Sequence, residues 1–409
     1  MSSTLLGTTA LWTPSLSVEV RAYDATELNL LKKLTCWSDI QAIIGSTVAG
    51  QPQSISTEQF LLYSMFRDLD CNNVADLKGY IRDQERRLSR LVVEAGGLVN
   101  SKRGLQPTEH TTEATDFGIA FGLTVADLIF GTTEMDWKSI PVTKTKDNDY
   151  LGSNGAIHID LEVKGSFVDD ISKTPSAISN HKASIKAKKK AKGPPPANTV
   201  CLGMIASVAG SGTPTVRVVD PPGDIEERSP QDQQLLHRMD FLSRWISCIS
   251  PRSSLAIALR GRLEALRRMD RVDELDGLPL VTGTGAEVDV SPYQFGQIHS
   301  RFFATKSVVS DGPAGGIICA TEDGVFFLGL MEDLLHMAVK QRFDEIRAYR
   351  HQPGTVSKTV SCAIPKGRKP EFSGLKVDWE SDDQFYIRFQ ATGDLHYTAG
   401  GLVFGWLKV

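Results

Sequence analysis

Apolar residues recur at helical spacing through much of the first hundred residues. Leu77, Tyr80, Ile81, Leu88, Leu91 and Val92 share one side of a stretch running to Ala95, with arginines and glutamates opposite. This pattern predicts an amphipathic helix stopped by Gly96-Gly97. Ser56-Thr57-Glu58-Gln59 ahead of Phe60-Leu61-Leu62 reads as another helix start. Thr111-Thr112-Glu113 opens a segment whose apolar part, Phe117 to Phe130, is helical by length and ends at Gly131. Trp137 to Thr143 is strand-like, with Pro141 confining it to a sheet edge. Asp149-Tyr150-Leu151 then precedes Gly152-Ser153-Asn154-Gly155, a tight-turn signal, and Ala156 to Lys164 alternates with period two. Ser176 to Lys192 is helical in pattern and broken by Gly193-Pro194-Pro195-Pro196. Thr199 to Val208 and Thr215 to Val219 read as buried strands around Gly210-Ser211-Gly212.

Beyond a polar stretch, Gly223 to Asp232, a helical pattern covers Gln233 to Val272 with an interruption near Pro251. Leu278 to Val409 is mixed. It carries one helix over Met331 to Tyr349 between β-like segments at Gly315 to Cys319, Val325 to Leu328, Phe385 to Phe389 and Leu402 to Leu407. Phe302-Phe303 and Phe326-Phe327 read as core. The expected organisation is a mainly helical region at 1–105, an α/β core at 106–223, a helical linker at 224–277 and a mixed, β-rich α/β region at 278–409. The fold class is α/β (α+β), with a central mixed sheet flanked by helices.

Composition adds limits. At 41% hydrophobic and 23% charged residues the chain is an ordinary globular protein. No apolar run reaches the roughly 20 residues that span a bilayer, and no basic segment precedes the first apolar residues, so the expectation is a cytoplasmic protein without membrane contact. The six cysteines are scattered and form no CxxC, which argues against a zinc site or a disulfide framework. A net charge of −4 gives no global sign of nucleic-acid binding. Locally, seven lysines and no acid lie between Lys173 and Lys192, and eight arginines between Arg238 and Arg271. There is no GxxxxGKS/T loop, no GxGxxG opening a helix, no GxSxG and no HExxH.

The chemistry concentrates on the alternating segment. Residues two apart on a strand share a face. Ile157, Ile159, Leu161 and Val163 are therefore expected to face a core, with His158, Asp160, Glu162 and Lys164 on the opposite face. His158 is expected to be exposed beside the site and not a ligand. Hairpin pairing brings Asp149 toward Glu162. Two converging carboxylates suit Mg²⁺, which takes only one or two protein carboxylates and keeps several waters. A lysine beside them supplies positive charge to an attacking water and to a phosphate. Asp76-Leu77-Lys78 and Asp136-Trp137-Lys138 have the same triplet form but lack this context.

Asp149…Leu161-Glu162-Val163-Lys164-Gly165-Ser166 resembles the D-(x)n-ExK-G core of the PD-(D/E)XK (restriction-endonuclease-like) nuclease superfamily. So does the surrounding order of helix, strand, strand with Asp, strand with ExK, helix and strand, over about Thr108 to Pro222. The resemblance implies a metal-dependent phosphodiesterase in which Asp149 and Glu162 hold Mg²⁺ or Mn²⁺, Lys164 positions the water, and Glu113 of the leading helix assists. Lys182 or Lys186 on the following helix stands where the family often carries a further polar residue. Asn148 replaces the family's proline. Asp147 competes with Asp149, Asp160 with either acid, and Glu109 and Asp116 with Glu113.

The implied partner is nucleic acid, DNA first, gripped by Lys182, Lys186, Lys188, Lys189 and Lys190 and by the arginine-bearing helices. Analogy with other members suggests a restriction or anti-phage defence component. The region after residue 277 has no chemical motif and suits a protein partner or homo-oligomer contact. The alternative is a protein that keeps this fold without catalysis and acts as a nucleic-acid- or partner-binding subunit.

Overall fold

The computed structural model describes residues 15–66, 77–89, 91–94, 96–101, 107–140, 149–171, 173–192, 198–219, 228–251, 253–269, 271–288, 303–304, 314–321, 324–379 and 386–409. The Gly193–Pro196 break and Pro141 lie outside them. The described residues of Leu11–Arg67 and Arg86–His237 form one compact unit, and those of Asp68–Glu85 and Arg238–Val409 another. Among the described residues no helix is long and apolar enough to cross a membrane.

The first unit contains β1 (Ser15–Ala22), α1 (Ala25–Leu31), α2 (Trp37–Ile44), β2 (Gln51–Ser56) and α3 (Thr57–Phe66). The helix α4 (Leu77–Leu88) straddles the division between units. There follow β3 (Leu91–Glu94), β4 (Leu98–Ser101), α5 (Pro107–Phe130), β5 (Trp137–Ser139), β6 (Tyr150–Ser153), β7 (His158–Phe167), α6 (Ser176–Lys192), β8 (Thr199–Val208) and β9 (Thr215–Val219). The helix α7 (Pro230–Ile249) belongs to this unit through His237. All these strands join one mixed sheet in the order β3-β4-β1-β9-β8-β7-β6-β5, with β2 also paired to β1. β5, β6 and β7 are antiparallel neighbours, β7 and β8 are parallel through the α6 crossover, and β8 and β9 are antiparallel. The strand-like segment at Trp137 does end the sheet, as the edge strand β5. Every residue of β8 and β9 is buried, as expected for apolar runs between two covered faces.

The sheet also takes in strands from the region expected to be mainly helical. The helical spacing through Val92 ends at Leu88, and Leu91–Glu94 pairs with Leu98–Ser101 across Gly96 and Gly97, whose φ values are +82° and +76°. The two glycines therefore make a hairpin and not a helix stop. β3 finds its backbone partners in β4, which in turn meets β1 at Leu98 and Ser17, and these pairings override the local spacing. At the other end, Ser153 Oγ donates to the Pro230 carbonyl at 2.6 Å and Gln234 Nε2 to Asp136 at 3.2 Å. Residues 228–237 are thus built into this unit, while the rest of the stretch expected as a linker, from Arg238 on, belongs to the other.

On one face, α5 lies against β7. A β-carbon at Gly165 would overlap the Ala114 carbonyl oxygen and approach the Gly118 α-carbon, and one at Gly122 would overlap Val163. Phe117 meets Phe167 at 6.2 Å between ring centres, and Phe60 of α3 meets Phe121 at 4.6 Å. On the other face, Ile178 and Ile185 of α6 cluster with Ile205 and Val219. Between α3, α5 and β5 sits a buried polar knot. Asp127 accepts from Gln59 Nε2 (3.2 Å), Tyr63 Oη (2.8 Å), Thr132 Oγ1 (2.8 Å) and Trp137 Nε1 (2.8 Å). Burial pushes its carboxyl up to about 6, against the pull of these donors.

The second unit is a six-stranded antiparallel sheet ordered β10-β11-β12-β15-β14-β13. Its strands are β10 (Phe303–Ala304), β11 (Ala314–Ala320), β12 (Val325–Met331), β13 (Gly354–Pro365), β14 (Tyr386–Tyr397) and β15 (Leu402–Lys408). The unit also holds α8 (Ser254–Arg268), the C-terminal part of α7, and the helices α9 (Glu332–Lys340) and α10 (Phe343–Ala348). Phe326 and Phe327 are core, as expected; Phe302 lies outside the described residues. The single helix expected over Met331–Tyr349 is two helices. Gln341 adopts a left-handed conformation at φ 52°, and Asp276 accepts from the Phe343 amide at 2.8 Å, starting a new helix there.

Two stability predictions follow from these contacts. Gly165→Ala is expected to destabilise the fold by about 2–3 kcal/mol, because helix and strand backbones must separate; urea unfolding measures this. Asp127→Ala removes the acceptor of four buried donors and is expected to lose about 3 kcal/mol or more. Its folded value lies above the ordinary 3.8, so stability from the neutral carboxyl is full below pH 3.8 and lost as the pH rises through about 6. Unfolding measured across that window is expected to show this slope in the native chain and not in Asp127→Ala.

Candidate active site

The register Tyr150↔Leu161 to Ser153↔His158 sets Asp149 one step beyond Tyr150, across from Glu162. The connecting loop is 154–157, two residues later than the glycine pattern suggested, because Gly152 and Ser153 continue the ladder. Asn154 Oδ1 accepts from the Ala156 and Ile157 amides, both at 3.0 Å, and Gly155 takes φ +86°. Its Nδ2 donates to the Phe130 carbonyl at 3.1 Å, which ties the hairpin to the end of α5.

Because Val163 and Gly165 face α5, Glu162, Lys164 and Ser166 face the α6 side of the sheet. That face is covered, not solvated. Glu162 is 0% exposed and Asp160 1%, and His158, expected to be exposed, is buried with Nε2 2.9 Å from the Arg228 carbonyl. The α6 crossover and the segment around Arg228 provide the cover, which period-two alternation alone does not encode.

Asp149, Glu162 and Lys164 are brought together. Lys164 Nζ lies 2.7 Å from Glu162 Oε1 and 3.2 Å from Asp149 Oδ2, and the Val163 amide donates to the same Asp149 oxygen at 3.1 Å. The Asp149 and Lys164 side chains are 30% and 27% exposed, so the constellation opens to solvent on their side while Glu162 forms its floor. Burial works against the Lys164 ammonium, but the charges of Asp149 and Glu162 outweigh it and hold the pKa above the ordinary lysine value. Lys164 is therefore a cation at any physiological pH and not a proton acceptor.

The donor set suits a divalent ion. Two carboxylates already converge on one cation, and hard oxygens in that arrangement match Mg²⁺ or Mn²⁺. Among the described residues no group of three or more His, Cys, Asp or Glu side chains is arranged to hold a metal. An ion here would rest on Asp149 and Glu162 and complete its shell with water or substrate oxygens.

The other expected residues are distributed around this core. Glu113 is buried on α5, next to Ala114, whose carbonyl meets Gly165, so it sits on the helical turn crossing the strand just after Lys164. Asp116 instead pairs with Arg87 at 2.9 Å. Glu109 and Asp147 lie outside the described side chains. Lys182 and Lys186 do not join the triad. Lys182 Nζ contacts Asp24 at 2.5 Å and Glu27 at 3.3 Å, and Lys186 contacts Glu27 at 2.7 Å, so both are engaged by acids at the start of α1. The side chains of Lys188, Lys189 and Lys190 lie outside the described residues.

Among the described side chains of α6, His181 reaches the face of β7 that carries the triad. Its Nε2 is 2.9 Å from Ser166 Oγ, two residues past Lys164 on the same face. Burial and the Lys164 charge lower its pKa, keeping it neutral at pH 7. The signal was available in the sequence: Ile178, His181 and Ile185 follow helical spacing, so the turn that seats the isoleucines seats His181 beside them.

No protein-family model, no curated protein and no solved structure matches this chain.

Removing the ammonium from a buried carboxylate is costly, whereas removing both charges is not. Lys164→Met is expected to destabilise the protein by about 3 kcal/mol, and adding Glu162→Gln is expected to restore most of that. Urea unfolding of the two single variants and the double variant measures the coupling.

Proposed function

We propose that the protein is a metal-dependent nuclease hydrolysing phosphodiester bonds, with DNA as substrate. The observation that carries this reading is the convergence of Asp149 and Glu162 on Lys164 Nζ, at 3.2 and 2.7 Å, from two strands of one hairpin. The element order supports it. A helix bearing Glu113, the strand β5, Asp149 just before β6, β7 with Glu-Val-Lys, the crossover α6 and the parallel β8 come in the order that the resemblance calls for.

In this reading Asp149 and Glu162 hold Mg²⁺ or Mn²⁺, which supplies Lewis-acid activation of water and phosphate. Lys164, permanently charged, donates hydrogen bonds to the attacking water or to a phosphate oxygen and offsets the negative charge that grows there. It orients the water and does not deprotonate it. The Val163 amide holds Asp149 at 3.1 Å and burial holds Glu162, so the two carboxylates keep their places. A role in restriction or anti-phage defence, and a protein partner or a second copy bound through the region after residue 277, belong to the same proposal by analogy with such enzymes.

The test is cleavage of plasmid DNA, and of RNA in parallel, with Mg²⁺, Mn²⁺ or EDTA. Cleavage is expected with metal only, and a loss of at least about a hundredfold is expected in Glu162→Ala and Lys164→Ala. Absence of cleavage by the native chain under every condition, with nucleic-acid binding unchanged in both variants, would favour the non-catalytic binding subunit.

A further inference from the structure

The Lys164 ammonium occupies the place between the carboxylates that a metal ion needs. It makes charge-assisted contacts to an oxygen of each acid, within 3.2 Å, and Glu162 is fully buried beneath it. A divalent cation and an ammonium cannot share that space, since like charges a few ångströms apart repel strongly in a partly buried setting. Resting on the metal-site reading above, we propose that Lys164 is a built-in competitor for the metal. Divalent binding must displace its ammonium from Asp149 and Glu162, and a phosphodiester supplies the anion that receives it.

Two consequences follow from charge alone. In the free protein the metal binds weakly, because two charge-assisted contacts must be given up and the lysine left beside a dication. When a nucleic-acid phosphate is present, the displaced ammonium has a new partner and the penalty falls. Metal and polyanion then bind with positive coupling, and by linkage each strengthens the other by the same factor. Lys164 is free to make this exchange: its side chain is 27% exposed, and its neighbour Asp149 is open to solvent on the same side. His181 reinforces the device. Its Nε2 lies 2.9 Å from Ser166 Oγ, and burial and the Lys164 charge lower its pKa, so the ring disfavours a second positive charge beside Lys164.

The experiment is a Mn²⁺ titration of the full chain, read by electron paramagnetic resonance of free Mn²⁺, with and without a DNA duplex carrying nuclease-resistant linkages. Native protein, Lys164→Met and Lys164→Gln are compared, with circular dichroism confirming that each variant is folded. Both variants are expected to bind Mn²⁺ on the order of tenfold more tightly than the native chain without DNA. The duplex is expected to tighten Mn²⁺ binding in the native chain and to have little effect in the variants. The Mn²⁺-induced rise in melting temperature is expected to be larger in Lys164→Met, a readout independent of the resonance signal. Native affinity equal to or above that of both variants overturns the displacement while leaving the metal site standing. Failure of all three chains to bind Mn²⁺ overturns the metal site itself, and the proposal with it.

Discussion

The backbone approach of α5 to β7 at Gly165 is the contact on which the site depends. The helix passes so near the strand that the Ala114 carbonyl and the Gly118 α-carbon fill the space a side chain would take, and Gly122 makes the same allowance for Val163. Once Val163, Gly165 and Phe167 are committed to that helix, the parity of a strand leaves Glu162, Lys164 and Ser166 facing the other way. β7 is paired on both sides, antiparallel to β6 and parallel to β8, so the register cannot slip without breaking two ladders. A glycine following the lysine thus has a mechanical meaning: it lets the helix lock the face on which the charges stand.

The unit holds two of its buried acids in different ways. Glu162 lies 2.7 Å from Lys164 on one face of the sheet. On the other side of the same unit Asp127 gathers Gln59, Tyr63, Thr132 and Trp137. The two differ in kind. Asp127 is closed in by neutral donors and ties α3, α5 and β5 together. Glu162 is answered by a cation at the edge of solvent, the ammonium of Lys164, whose side chain is 27% exposed.

The lysine run shows how a local reading can mislead. Seven lysines without an acid between Lys173 and Lys192 suggest a surface for phosphates. In the folded chain Lys182 and Lys186 reach acids more than 150 residues earlier, Asp24 and Glu27, and Lys182 also lies 4.3 Å from the centre of the Tyr23 ring. Their charge fastens α6 to α1. The residue that α6 directs toward the triad is the neutral His181, which carries no charge signature in the sequence.

The sequence by itself determined the elements with strong local signals: the helix ending at Gly131, the strands Thr199–Val208 and Thr215–Val219, the edge strand at Trp137 and the Asp149–Glu162 hairpin. In these, apolar pattern and length agree, so little beyond the local chain is needed, though the hairpin's loop falls two residues later than its glycine signal. The common face of Glu162 and Lys164 was legible for the same reason, since alternation on a strand follows from backbone geometry. Tertiary structure decided the rest. It turned Leu91–Glu94 from helix to strand by pairing it with Leu98–Ser101, which itself joins β1 at Ser17, and it split Met331–Tyr349 by placing Asp276 at the Phe343 amide. It buried Glu162 and His158 under α6 and the segment near Arg228, withdrew Lys182 and Lys186 into ion pairs with α1, and brought His181 to Ser166. These outcomes rest on partners distant along the chain. Only the folded arrangement sets which charge meets which and which face is shielded from water.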